Sequence, residues 1–171
     1  MSFLTNSRFP IPNSNYICTM GIEKDIQQSK FRSPHHKATV NLIYTLGWIR
    51  DKTRCILEAE DITAQQFNIL RILRGSFPKP LSTLQIRERM LEKMSDTSRI
   101  VDRLITKGLV KKITCKADRR LVDVVITDKG KKLLERLDLR QDEMDAAMGN
   151  LSEKDANLLS DLLDKIRDAG E

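Results

Sequence analysis

Apolar residues recur along most of this chain at the three-to-four-residue spacing of helices, and give way only between Leu109 and Thr127 to short runs rich in valine and isoleucine. The first stretch, Met1 to Arg32, is heterogeneous. Its Phe9-Pro10-Ile11-Pro12-Asn13 run excludes helix, because proline fixes φ and lacks an amide donor. A short helix is predicted for Ile22 to Phe31. Ser33-Pro34 is a good helix start, with serine as cap and proline in the first turn. That helix should run to about Ala59, with Val40, Ile43, Leu46 (or Gly47), Arg50 and Leu57 only roughly on one stripe and Trp48 and Ile49 widening it.

Thr63-Ala64-Gln65-Gln66 reads as a capping box opening the next helix. Phe67, Leu70 and Leu73 give it a buried face, and Gly75 is expected to stop it. After a loop from Ser76 to Pro80, Ser82 to Gln85 offers a second capping box. The short helix that follows has Leu84, Ile86 and Met90 as candidate core positions. A brief turn at Glu92-Lys93 leads to Ser95, read as a third cap, and to a helix over Asp96 to Lys107 that ends at Gly108. Leu109 to Lys116 and Leu121 to Thr127 are strand-like and rich in valine and isoleucine, joined by a tip from Lys116 to Arg120. Thr127-Asp128 caps a helix expected to reach Met148. Ser152 opens the last helix, whose Leu158, Leu159, Leu162, Leu163 and Ile166 form an apolar stripe.

Two short helices joined by a tight turn and followed by a β-hairpin describe a winged helix-turn-helix. The expected class is mainly α with a small β-hairpin. The outer helices are too long and too apolar on one face to be satisfied by that unit, so they predict a dimerisation region completed by a second copy. The domain reading is an N-terminal extension over 1–33, a winged helix-turn-helix over 63–127, and a helical dimerisation region formed by 34–62 and 128–171.

At 171 residues, 40% of them hydrophobic, the chain can bury an ordinary core. Charge sharpens the picture. Met94 to Arg120 carries eight basic against three acidic residues, a net +5, whereas Asp128 to Glu171 carries eight basic against twelve acidic, a net −4. A basic middle beside an acidic end suits a localised anion-binding face; a solvated surface is the other reading of the same charges. No stretch reaches the length of about 20 apolar residues that spans a bilayer, and Met1 to Pro10 shows no secretory pattern. Cys18, Cys55 and Cys115 are far apart and make no metal spacing with His35 and His36. A reducing cytoplasm, with no metal and no cofactor, is the simplest expectation. No phosphate loop, catalytic triad or metal motif is present in the sequence, so an enzyme is not expected.

Three segments carry a resemblance to the multiple-antibiotic-resistance regulator (MarR) family. The strongest runs from Ser95 to Val110 and resembles the family's recognition helix and the Gly-Leu-Val that leads into its wing. Asp118-Arg119-Arg120 is similar to the wing's Asp-x-Arg signature, and Val125 to Gly130 to the strand-to-helix junction. One departure stands at Ile86-Arg87, where the family often has Leu-Ala. Either Arg87 points outward or the local match is displaced by a residue. The resemblance implies a homodimeric repressor that binds a palindromic operator in double-stranded DNA and responds to an effector.

On the helix after Ser95, Thr97, Val101 and Leu104 share one face, with Ile100 beside them; Ser95, Ser98, Arg99, Asp102 and Arg103 point largely the other way. Arg99 and Arg103 are candidates for guanine edges in a major groove. Ser95, Asp96, Thr97 and Ser98 are candidates for phosphate or short base contacts at a helix start, or simply caps. By resemblance, Arg120 enters the minor groove and Asp118 orients the wing tip or merely makes its turn; Arg119 is a candidate for a phosphate, and Lys116, at the hairpin tip, is a further DNA-binding candidate. Many relatives release DNA when a small aromatic or phenolic compound binds, and Tyr44, Trp48 and Phe67 are candidates for such a pocket or for core. Other relatives respond to thiol oxidation; Cys18, near Tyr16, resembles their early cysteine but lies far ahead of the first long helix. A winged-helix docking module without DNA binding is the alternative, and Arg99, Arg103 and Arg120 argue against it.

Overall fold

The computed structural model describes residues 21–114 and 122–168. It divides into two compact units, one up to Trp48 and one from Ile49 onward. In the first, helix α1 (Ile22–Asp25) stops well short of Phe31. Gln27 turns left-handed at φ 54°, and the amides of Gln27 and Gln28 close back onto Lys24 and Glu23. Helix α2 (Pro34–Glu58) starts as expected, with the Ser33 hydroxyl accepting the His36 amide at 3.1 Å. Its Leu42, Ile43 and Leu46 are exposed.

The second unit holds the main core. Helix α3 (Ala64–Ser76) begins with the complete Thr63–Gln66 capping box and buries Ile69, Leu70 and Leu73, while Phe67 is only half-buried. Gly75 lies inside α3 instead of ending it; the chain leaves the helix at Phe77, ahead of Pro78. A two-residue strand that the pattern did not predict, β1 (Leu81–Ser82), precedes helix α4 (Thr83–Arg89), whose Ser82–Gln85 capping box is also complete. Ile86 and Met90 are buried, but Leu84 is 57% exposed. Residues four apart share a helix face and residues two apart do not, so Leu84 cannot join the other two. Arg87 is exposed, which removes the need for any displacement of the local match.

Helix α5 (Thr97–Thr106) closes with Gly108 at φ +70°; the Gly108 amide donates to Ile105 and that of Leu109 to Leu104. Strands β2 (Val110–Thr114) and β3 (Val122–Ile126) pair antiparallel, with Lys112 opposite Val124, and β1 adds to the other edge of β3, giving the order β1-β3-β2. This is the winged helix-turn-helix, with its wing tip outside the described residues.

Helix α6 (Asp128–Asp138) is capped by Thr127. It is shorter than the helix expected to reach Met148: the chain breaks at Leu139–Arg140, then forms α7 (Gln141–Asp145) and a 3₁₀ turn over Ala146–Met148. Leu133, Leu134 and Leu137 of α6 are buried with α3 and the sheet, whereas Leu139 falls off that stripe and is 88% exposed. In packing, α6 and the end of α2, through Ile56 and Leu57, share one core with α3, α5 and the sheet. Helix α8 (Glu153–Arg167), capped by Ser152, buries no residue.

Candidate nucleic-acid interface

Helix α5 is fixed at its start and along one face. Asp96 caps it, its carboxylate accepting the Arg99 amide at 3.2 Å. Ser95, the expected cap, instead donates its amide to the Glu92 carbonyl within the preceding turn. An aspartate at this end also complements the helix dipole. Thr97, Val101 and Leu104 sink into the core, and Ile100 is half-buried. Ile105 is half-buried too, and Ser98, Arg99, Asp102, Arg103 and Thr106 are exposed.

The candidate residues are not equivalent. The Arg99 side chain is 75% exposed and its nearest carboxylate, Asp96, stands 4.0 Å away, so its guanidinium is open to a polyanion. Thr97, one of the contact candidates, is 4% exposed, its side chain packed in the core with the hydroxyl toward the Ser95 carbonyl. Asp102 pairs with Lys112 of β2 at 2.9 Å, tying helix to wing. Arg103 lines a cavity of about 420 Å³ at the far end of α5, together with Glu58, Asp61, Thr63, Gln66 and Lys107. Arg99 and Arg103 thus sit in different surroundings. Lys111 and Lys112 are exposed on β2. Lys116, Asp118, Arg119 and Arg120 lie outside the described residues, as do Cys18 and Cys115.

Tyr44 and Trp48 are half-buried on α2, and the Arg71 guanidinium covers the Phe67 ring at 5.6 Å. Neither the 420 Å³ cavity nor a second one of about 350 Å³, against α6, is lined by any of these three. Among the described residues no cluster of His, Cys, Asp or Glu is placed to hold a metal, and no helix is long and apolar enough to cross a membrane.

Two ion pairs that no sequence spacing announces hold α6 in place. Arg136 grips Glu60 with both Nε and Nη2, and Arg74 grips Asp138 through two nitrogens. The hydrogen bonds from these guanidinium groups hold the Glu60 and Asp138 carboxyls below the usual carboxylate range. A third such contact, from Glu92 to Arg50 and Gln65, fastens the turn before α5.

The MarR family model matches residues 62–122. The chain is 31% identical over 142 residues to the HTH-type transcriptional regulator FarR of Neisseria gonorrhoeae, covering 81% of this chain and 96% of that one. It is 30% identical over 95 residues to the HTH-type regulator YpoP of Bacillus subtilis, of whose length it covers 65%. Among solved structures, a MarR transcription factor from Planctomyces limnophilus superposes with a TM-score of 0.61 at 32% identity, over 79% of this chain and 98% of that one. A mutant of E. coli MarR complexed with operator DNA superposes with a TM-score of 0.66 at 26% identity, over 74% and 91%. A winged fold with an open arginine on its second helix, and relatives such as FarR alike over nearly their whole length, lead to one conclusion: the chain belongs to the MarR family of transcription regulators.

Proposed function

We propose that this protein is a sequence-specific DNA-binding repressor of the cytoplasm that acts as a homodimer on a pseudo-palindromic operator. The observation that carries the reading is the division of α5: one face buried in the core, the other presenting Ser98 and Arg99 to solvent at its N-terminal end. A helix so exposed, second in a helix-turn-helix, fits a major groove, and Arg99 is its candidate for a guanine edge. Arg120, Arg119 and Lys116 are proposed to follow the adjacent minor groove and backbone. The dimer reading is supported by apolar side chains left uncovered on α8, where Leu158, Leu162 and Ile166 are 54%, 50% and 69% exposed, and by Leu42, Ile43 and Leu46 on α2. Release by a small aromatic or phenolic effector rests on the family resemblance.

One observation favours the docking-module alternative: Leu91 and Met94, in the turn before α5, are 85% and 98% exposed. Arg99 and the exposed lysines of β2 weigh against it. Fluorescence-anisotropy titration with the upstream promoter fragment at two salt concentrations decides. Tight binding that weakens steeply with salt supports the repressor reading, and no binding at low salt overturns it.

A further inference from the structure

Between Met90 and Thr97, both buried, no side chain is buried, and Leu91 and Met94 project into solvent. The turn that carries the N-terminal end of α5 is therefore not held by apolar packing. Polar contacts hold it, and they converge on two adjacent residues. Glu92 Oε1 accepts from Arg50 Nη2 at 2.7 Å, and its Oε2 accepts from Gln65 Nε2 at 3.1 Å. Asn68 Oδ1 accepts the Leu91 amide at 2.9 Å. Within the turn, the Glu92 carbonyl accepts the Ser95 amide, next to the Asp96 cap. Arg50 belongs to α2, and Gln65 and Asn68 belong to α3.

We propose that Glu92 is a positioning residue for DNA recognition: its carboxylate, clamped between Arg50 and Gln65, sets the orientation of the N-terminal end of α5, and with it the aim of Arg99. Arg50 stands one helical turn after Leu46, on the helix whose exposed apolar side chains support the dimer reading. In a dimer, the aim that this carboxylate gives each α5 also bears on how the two recognition helices meet their half-sites. The inference rests on the DNA-binding reading. The Arg50 and Glu92 side chains are 58% and 40% exposed, and an ion pair so exposed adds little to stability. Loss of the clamp is thus expected in recognition and not in folding.

The test uses the full-length protein and three variants, Glu92→Ala, Arg50→Ala and the double variant. Each is titrated against the operator bound by the parent, against operators whose half-sites are moved together or apart by one base pair, and melted alongside. Each single variant is expected to bind the parent operator about tenfold more weakly, with the double variant no worse than either, because both changes break one contact. The preference for parent spacing should flatten, and melting should stay close to that of the parent. The charge-reversed pair Arg50→Glu with Glu92→Arg is expected to recover part of the loss. Parent-like affinity and spacing preference in both single variants overturns the proposal, as do losses that add independently. If Glu92→Ala alone melts early, the affinity and spacing preference of Arg50→Ala decide in its place. A parent protein that binds no operator overturns the DNA-binding reading itself, an outcome read in the first titration.

Discussion

A Cβ added to Gly130 would fall on the carbonyl oxygen of Leu109 and 2.8 Å from Cγ1 of Ile126. That oxygen already accepts the Thr127 amide and the Thr127 hydroxyl, each at 3.0 Å, so the start of α6 is seated against the entry to β2 with no room for a side chain.

Gly130→Ala is therefore expected to destabilise the fold by about 1–3 kcal/mol, in the range of overpacked cores. The usual helix preference for alanine over glycine, of about 1 kcal/mol, has the opposite sign and is outweighed. Gly75 supplies the control. It lies inside α3, where an added Cβ would meet nothing within 4 Å, so Gly75→Ala should be neutral or stabilising. Urea denaturation of both variants checks the contrast; equal effects would refute it.

Acid should loosen α6 through its ion pairs. The carboxyls of Glu60 and Asp138 are held below their ordinary values of 4.5 and 3.8 by hydrogen bonds from Arg136 and Arg74. A depressed carboxylate contributes stability that is fully present above its unfolded value and is lost as pH falls through the lower folded one. These pairs thus leave melting unchanged from neutral pH down to roughly 5 and lower it below about 4. Thermal melts of the parent against Glu60→Gln/Asp138→Asn should show a shallower acid limb in the variant. Parallel limbs would mean that the pairs contribute nothing.

The fold was legible where its signals are local. The Thr63–Gln66 and Ser82–Gln85 boxes, the cap at Thr127 and the stop at Gly108 each depend on residues within a few positions of one another, and each is present. What escaped depends on distant partners or on competition between neighbours. Strand β1 exists only because β3 lies beside it. The break after Asp138 carries neither glycine nor proline; it falls where the buried stripe of α6 ends. Ser95 and Asp96 are both good caps, and the burial of Thr97 fits the register that makes Asp96 the cap. In the candidate interface, the open side of α5 followed from its periodicity, but the Glu92 clamp joins residues from three separate elements and has no spacing to read.

Dimerisation is predicted to fail from α8 without harm to the winged core. Because α8 buries no residue within the protomer and Leu162 is half exposed, a charge placed there enters no buried position. In an apolar interface, the same charge would be left without a partner, at a cost of several kcal/mol. Leu162→Lys should shift sedimentation toward monomer while leaving circular dichroism near that of the parent. A variant that stays as dimeric as the parent would place the interface elsewhere.

The last prediction separates recognition helix from wing. Arg99 is 75% exposed on the open face of α5 and is expected to read a base edge. Arg99→Ala should relax preference at one base pair in each half-site, by about 1–3 kcal/mol. Arg120, in the proposed wing signature, is expected to sit in a narrow minor groove, where the negative potential of A/T-rich DNA holds a guanidinium. Arg120→Ala should therefore weaken binding to the whole operator, most of all where the flanks are A/T-rich, without changing preference at the positions Arg99 reads. Arg99 takes no part in the core, so its variant should melt as the parent does. The measurement is a binding series for each variant against operators altered one position at a time. If both variants bind every operator as tightly as the parent, DNA is read by another surface. If both lose affinity uniformly, Arg99 is a backbone contact, and base preference is read by other residues.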